Sequence, residues 1–142
     1  MPAYTITVNG TIINNSKSKY PILAYKGVIY FPMTYNYASA LGLITKWNPT
    51  TGFSISKDIT KSTSRSIQNL TGNNSTTKSY KAVLPIFSIN VNGNQISNSL
   101  EEYPLFVFKD ITYSPMTWRF AVAEFGFTTD WSDTTGFSIV SQ

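Results

Sequence analysis

Tyr30-Phe31-Pro32-Met33-Thr34 and Tyr113-Ser114-Pro115-Met116-Thr117 are two versions of one passage: an apolar strand, a proline that halts it, and a threonine placed to cap a helix. The match extends in both directions. Towards the N-terminus, Ile6-Thr7-Val8-Asn9-Gly10 returns as Ile89-Asn90-Val91-Asn92-Gly93, and Tyr20-Pro21 returns as Tyr103-Pro104, all at one constant spacing. Towards the C-terminus the spacing holds as far as Ala40 and Ala123 and then lengthens by one residue. Gly42 therefore matches Gly126, Trp47 matches Trp131, and Thr50-Thr51-Gly52-Phe53-Ser54-Ile55 matches Thr134-Thr135-Gly136-Phe137-Ser138-Ile139. Internal similarity of this kind sets the organisation of the chain. It places repeat one at residues 4–57 and repeat two at 87–142. Residues 58–86 are a Ser/Thr/Asn-rich linker that turns apolar over 81–86, where a lead-in strand is expected.

Each repeat reads the same way. Tyr4 to Val8 alternates as a strand, Asn9-Gly10 is a strong hairpin turn, and Thr11 to Asn14 returns. A second hairpin turns at Lys26-Gly27. After Pro32, Thr34 caps a short helix that runs to about Leu41 and stops at Gly42; Thr117 and Gly126 play those parts in repeat two. A final hairpin closes through Asn48-Pro49-Thr50-Thr51-Gly52. The expected fold class is α+β: two tandem repeats, each a small antiparallel sheet with one short helix packed on it. Units of this size are marginal alone and are expected to pack together.

The 142 residues contain no Cys and no His. That excludes disulfides, thiol nucleophiles, thiolate metal sites, imidazole bases and imidazole-ligated copper or zinc. No apolar run approaches the length of a membrane span, so no transmembrane segment is expected. The first ten residues lack the pattern of a signal peptide, so the protein is either cytosolic or has had a leader removed. Net charge is +4, unevenly spread. Repeat one holds Lys17, Lys19, Lys26, Lys46 and Lys57 with no acid. Repeat two holds Lys109 and Arg119 against Glu101, Glu102, Asp110, Glu124, Asp130 and Asp133. A basic half joined to an acidic half argues against nucleic-acid binding as the expectation, and solvated faces with no partner are the plain reading. The asymmetry could steer repeat against repeat or chains head to tail, and a polyanion such as a cell-wall polymer or nucleic acid could use the basic half.

The ordered blocks Val-Asn-Gly, Tyr-Pro-Ile, Tyr-Lys-Gly-Val-Ile-Tyr-Phe-Pro-Met-Thr, Ala-Leu-Gly-Leu, Trp and Gly-Phe-Ser-Ile together resemble the copper amine oxidase N-terminal, or stalk, domain family, in two copies. The resemblance implies a small antiparallel sheet wrapped by a helix, used as a non-catalytic stalk or adhesion module of exported and cell-surface bacterial proteins. It implies no cofactor and no activity, because the copper chemistry of the family name needs three imidazoles that this chain lacks. The expected role is a spacer or a binder of cell-wall carbohydrate or protein, extracellular or in the wall, with its leader removed. An intracellular protein-interaction or inhibitory module is the alternative.

Candidate site residues are few. Trp47 and Trp131 occupy equivalent places, and that equivalence favours a shared packing role in the core. Tyr35, Asn36 and Tyr37, with Trp118, Arg119 and Phe120, follow the two capping threonines and are the candidate ligand-binding patch, suited to stacking on a sugar or anchoring a protein; helix-to-sheet packing is the competing reading. Glu101 and Glu102 are adjacent, so on a strand they point to opposite faces and cannot pair as acid and base. Asp130 and Asp133 flank Trp131, but Lys46 and Pro49 stand at the matching places, which argues against a general metal site. No catalytic, cofactor-binding or metal-ligating residues are assigned.

Overall fold

The computed structural model describes residues 2, 4–57, 70–75 and 79–141. Twelve strands, two longer helices and two single-turn 3-10 helices, Asn15–Lys17 and Asn98–Leu100, lie among them. The first half contains β1 (Ile6–Val8), β2 (Thr11–Ile12), β3 (Leu23–Tyr25), β4 (Val28–Pro32), α1 (Tyr35–Ala40), β5 (Leu43–Asn48) and β6 (Gly52–Lys57). The second half contains β7 (Ile89–Val91), β8 (Asn94–Ile96), β9 (Phe106–Phe108), β10 (Ile111–Pro115), α2 (Trp118–Glu124), β11 (Thr128–Ser132) and β12 (Gly136–Val140). The fold is sheet-rich with minor helix.

The hairpins form where their turn residues place them, but they assemble differently from the expectation of one self-contained antiparallel sheet per repeat. The strands make three four-stranded sheets, ordered β11-β12-β1-β2, β3-β4-β10-β9 and β5-β6-β7-β8. Every sheet draws a hairpin from each half. β1 runs parallel to β12 with Ile6, Thr7 and Val8 opposite Phe137, Ser138 and Ile139; β6 runs parallel to β7 with Phe53, Ser54 and Ile55 opposite Ile89, Asn90 and Val91. In the middle sheet β4 and β10 pair antiparallel, with Phe31 opposite Ser114 at the centre and Tyr30 and Pro32 opposite Pro115 and Tyr113. A hairpin of three-residue strands buries too little to stand alone, and joining hairpins across halves gives each one the extra strands it needs.

Side chains from all three sheets and both helices share one main core, including Ile6, Val8, Ile29, Phe31, Phe53, Ile55, Ile89, Val91, Phe120 and Ile139. The unbroken apolar run Val28–Pro32 has the signature of a strand covered on both faces. Its Ile29 and Phe31 enter the main core, while Tyr30 joins a second cluster with Leu23, Phe106, Phe108 and Tyr113. Tyr80 and Ala82 cover that cluster, and Val83 makes a single antiparallel bridge to Val107. The lead-in is thus one bridge rather than a strand, and this part of the linker packs rather than floats. Upstream, the backbone N–H of Gly72 donates to Lys17 O at 2.9 Å, and Asn74 Nδ2 donates to Asn15 O and Ser18 O at 3.0 and 2.7 Å. The rest of the linker, 58–69 and 76–78, lies outside the described residues.

Polar contacts tie the halves reciprocally. Tyr30 Oη donates to Pro104 O, and Tyr113 Oη donates to Pro21 O, both at 2.8 Å. Asn9, at a left-handed turn position, donates from Nδ2 to Ala40 O at the end of α1 and accepts at Oδ1 from Ser141 N of the other half, both at 2.9 Å. Asn92 does the same with Glu124 O at 2.7 Å and Lys57 N at 3.0 Å. Gly52 and Gly136 sit at φ +88° and +81°, where a Cβ would collide with the carbonyls of Ser88 and Thr5 in the facing half.

The two helices differ. α1 is a short α-helix capped by Thr34 Oγ1, which accepts from Tyr37 N at 3.3 Å; α2 starts under the same cap from Thr117 but is a π-helix. Phe125 N bonds Phe120 O, five residues back, where Leu41 N bonds Tyr37 O, four back. One added residue in a helical turn produces this wider ring. The residue that lengthens the spacing in repeat two is absorbed inside α2. Asn92 consequently grips Glu124, not Ala123, where Asn9 grips Ala40.

Gly52→Ala and Gly136→Ala should each destabilise by about 3 kcal/mol, combining left-handed strain with a backbone collision. Gly10→Ala and Gly93→Ala, with nothing within 4 Å, should cost about 1 kcal/mol in denaturant unfolding. Burial raises the phenols of Tyr30, Tyr37 and Tyr113 above their ordinary value of 10.0. Their unfolded counterparts ionise first as pH rises, so this stability is intact below about pH 10 and is lost above it. Melting temperature should therefore hold from neutrality and fall on the alkaline side of about pH 10, less steeply in Tyr37→Phe.

Candidate functional site

The six residues of the sequence-derived patch do not form one surface. Tyr37 and Phe120 are 4% and 1% exposed and belong to the main core. The reason is helical geometry: the third residue after each capping threonine turns inward onto the sheet, while the first stays in water. Tyr35 and Trp118 are accordingly exposed, and Asn36 is half-buried. Arg119 is engaged by acids: its Nε and Nη2 donate to Glu101 Oε1 and Oε2, each at 2.9 Å, and its Nη1 lies 3.6 Å from Glu124 Oε2. The hydrogen bond to Glu101 holds the guanidinium above its ordinary value. Arg119 also stacks on the Phe120 ring, 4.8 Å from its centroid. These contacts fasten α2 to the bend that carries Glu101, which lies beyond a strand rather than on one as the sequence suggested.

The tryptophans are placed otherwise than expected. Trp47 and Trp131 are 58% and 53% exposed, so neither fills the core. Their equivalence is real but lies at the surface: each meets an aromatic ring at the start of the other half. Trp47 packs edge-to-face on Phe87 and Trp131 on Tyr4, both at 4.7 Å between centroids. Such contacts fix a large ring in place while leaving part of it in water.

At Trp47 the fixed ring borders a cavity of about 470 Å³ between β5–β6 of one sheet and β9–β10 of the next. Met33 and Phe53 contribute apolar lining beside Trp47 and Phe87, while Thr45, Lys46, Asp110 and Thr112 supply polar groups. Lys46 and Asp110 are both exposed and form no ion pair with each other. Asp110 is held in a left-handed turn with Lys109, at φ 63° and 52°. One wall thus offers an aromatic surface, and the rim offers a cationic donor, an anionic acceptor and threonine hydroxyls. That combination suits a ligand with an apolar face and many hydroxyls. Asp110 is the one carboxylate that lines it, and no group of three or more His, Cys, Asp or Glu side chains able to hold a metal ion occurs among the described residues. No described helix is long and apolar enough to cross a membrane.

Sequence reasoning missed this groove because its walls come from residues some sixty positions apart. The available signal was Lys46 and Trp47 in succession before a polar turn, with Asp110 in the turn of another hairpin. No protein-family model, no curated protein and no solved structure matches this chain.

Arg119→Gln should cost about 1 kcal/mol or less, because Arg119 is nearly half exposed and solvent screens its pairs. Thermal unfolding in low and high salt should show that small difference shrinking as salt rises.

Proposed function

We propose that this chain is a non-catalytic module of the cell-surface or secreted stalk type, formed from two tandem repeats at 4–57 and 87–142, and that the Trp47 groove binds a cell-wall carbohydrate. The resemblance of both repeats to the copper amine oxidase N-terminal family favours an exported bacterial setting. The observation that carries the binding role is Trp47 itself: a large ring, over half exposed, is immobilised on Phe87 beside a groove whose rim mixes donors and acceptors. Sugars stack their C–H faces on such rings while side chains bond their hydroxyls. A ring already held in place loses little conformational freedom when the ligand arrives.

The interlocked sheets suit a spacer equally well. Reciprocal pairing across three sheets leaves neither half free to hinge away without breaking strand contacts. A module of this build can hold a ligand at a fixed distance from whatever the chain is attached to.

Sedimentation with insoluble bacterial cell-wall polysaccharide tests the reading. The protein should pellet with the wall, and Trp47→Ala should weaken retention by about tenfold, as expected for losing one stacked ring. Asp110→Asn should also weaken it without lowering the melting temperature appreciably, whereas Trp47→Ala should in addition cost about 1 kcal/mol of stability through the lost contact with Phe87. Retention that is absent in the unaltered protein, or indifferent to Trp47, overturns the carbohydrate role.

A further inference from the structure

We infer that each half of this chain is a docking partner for the complementary half of a second copy, so that the protein assembles with itself by exchanging halves. The pairings that close the molecule all run between its two halves: β1 with β12, β4 with β10, and β6 with β7. None of them needs the partner strand to be on the same chain. A chain whose halves separate exposes three strand edges at once, and unpaired edges recruit strands of matching register.

The register is specified by polar contacts as well as by pattern. Tyr30 must find the carbonyl of Pro104 and Tyr113 that of Pro21, while Asn9 must find Ser141 and Asn92 must find Lys57. Charge chooses the partner. Residues 4–57 carry five lysines and no acid, and residues 87–142 carry six acids against Lys109 and Arg119. Two like halves repel and two unlike halves attract, so a first half selects a second half whichever copy supplies it.

Only the connection from Lys57 to Ile89 makes the closed form intramolecular. Lys57 lies four residues beyond Phe53, which pairs with Ile89, so the chain must return by only about 15 Å. The stretch 58–88 is far longer than that return requires. Its length lowers the effective concentration of one half for the other only slowly. Gly72, Asn74, Tyr80, Ala82 and Val83 hold part of it against the folded halves, so exchange requires those contacts to open with the strand pairings. Reciprocal exchange between two copies rebuilds both modules in full and closes as a dimer.

Two full-length variants test the inference. Gly52→Val damages the first half and Gly136→Val the second, each by the collision described above. Unfolded together and refolded together, they can form one undamaged module, from the first half of the Gly136→Val chain and the second half of the Gly52→Val chain. The expected result is a cooperative melt of wild-type character that neither variant shows alone, carried by a species of twice the chain mass in light scattering. Independently, two differently tagged copies of the unaltered chain, refolded together at high concentration, should co-purify as a mixed dimer. A mixture that melts no better than its parts, together with tagged copies that stay monomeric and unmixed, overturns the inference. If the valine variants aggregate, the tagged copies decide it: mixed dimers support exchange and pure monomers refute it.

Discussion

One strand edge of every hairpin in this protein is satisfied by a hairpin of the other half, and the remaining structure follows from that constraint. A single half supplies three hairpins of two- to six-residue strands and one helix of six or seven residues. Such elements bury little by themselves, and a unit of this size is marginal even with a complete core. Crossing the hairpins between halves turns pairs of strands into four-stranded sheets and merges two thin apolar layers into one main core. The parallel joins at β1–β12 and β6–β7 are the distinctive step. Parallel neighbours cannot be linked by a tight turn, so they require distant parts of the chain.

The positions that recur most exactly in the sequence are those that manage this crossing. The two turn asparagines each bridge the end of a helix in their own half and the last strand of the other. The tyrosines and the prolines they bond are exchanged in the same reciprocal way, and the two glycines sit where the opposing backbone comes too close for a side chain. Buried tyrosine hydroxyls and surface asparagine amides satisfied in this manner fix one register among the several that a simple apolar alternation would allow. The helices tolerate more change, since an extra residue in α2 is taken up as a π turn while Gly126 and Phe127 keep places matching Gly42 and Leu43.

The surface was less legible than the frame. Equivalence of Trp47 and Trp131 was visible in the sequence, and it pointed towards a packing role. Both do pack, against Phe87 and Tyr4, but at the rim and not in the interior. Whether an aromatic ring on a short strand is covered depends on which hairpin lies opposite, and that hairpin belongs to the other half. The residues after the capping threonines were only partly readable for a related reason. Helical periodicity sends Tyr37 and Phe120 inward, but Arg119 is occupied by Glu101 from a distant bend, which no local pattern announces.

By itself the sequence determined the hairpin turns, the caps and the correspondence of the two halves. All of these are local: a left-handed Asn-Gly, a proline or a capping threonine acts within a few residues of its own position. Only the tertiary structure decided which hairpin joins which sheet. The halves present nearly the same strands twice, so by pattern alone Ile6-Thr7-Val8 could pair with Phe53–Ile55 of its own half as well as with Phe137–Ile139 of the other. Side-chain alternation is the same for both choices. The second is taken because crossing satisfies the edges of both halves and buries both apolar layers in one core.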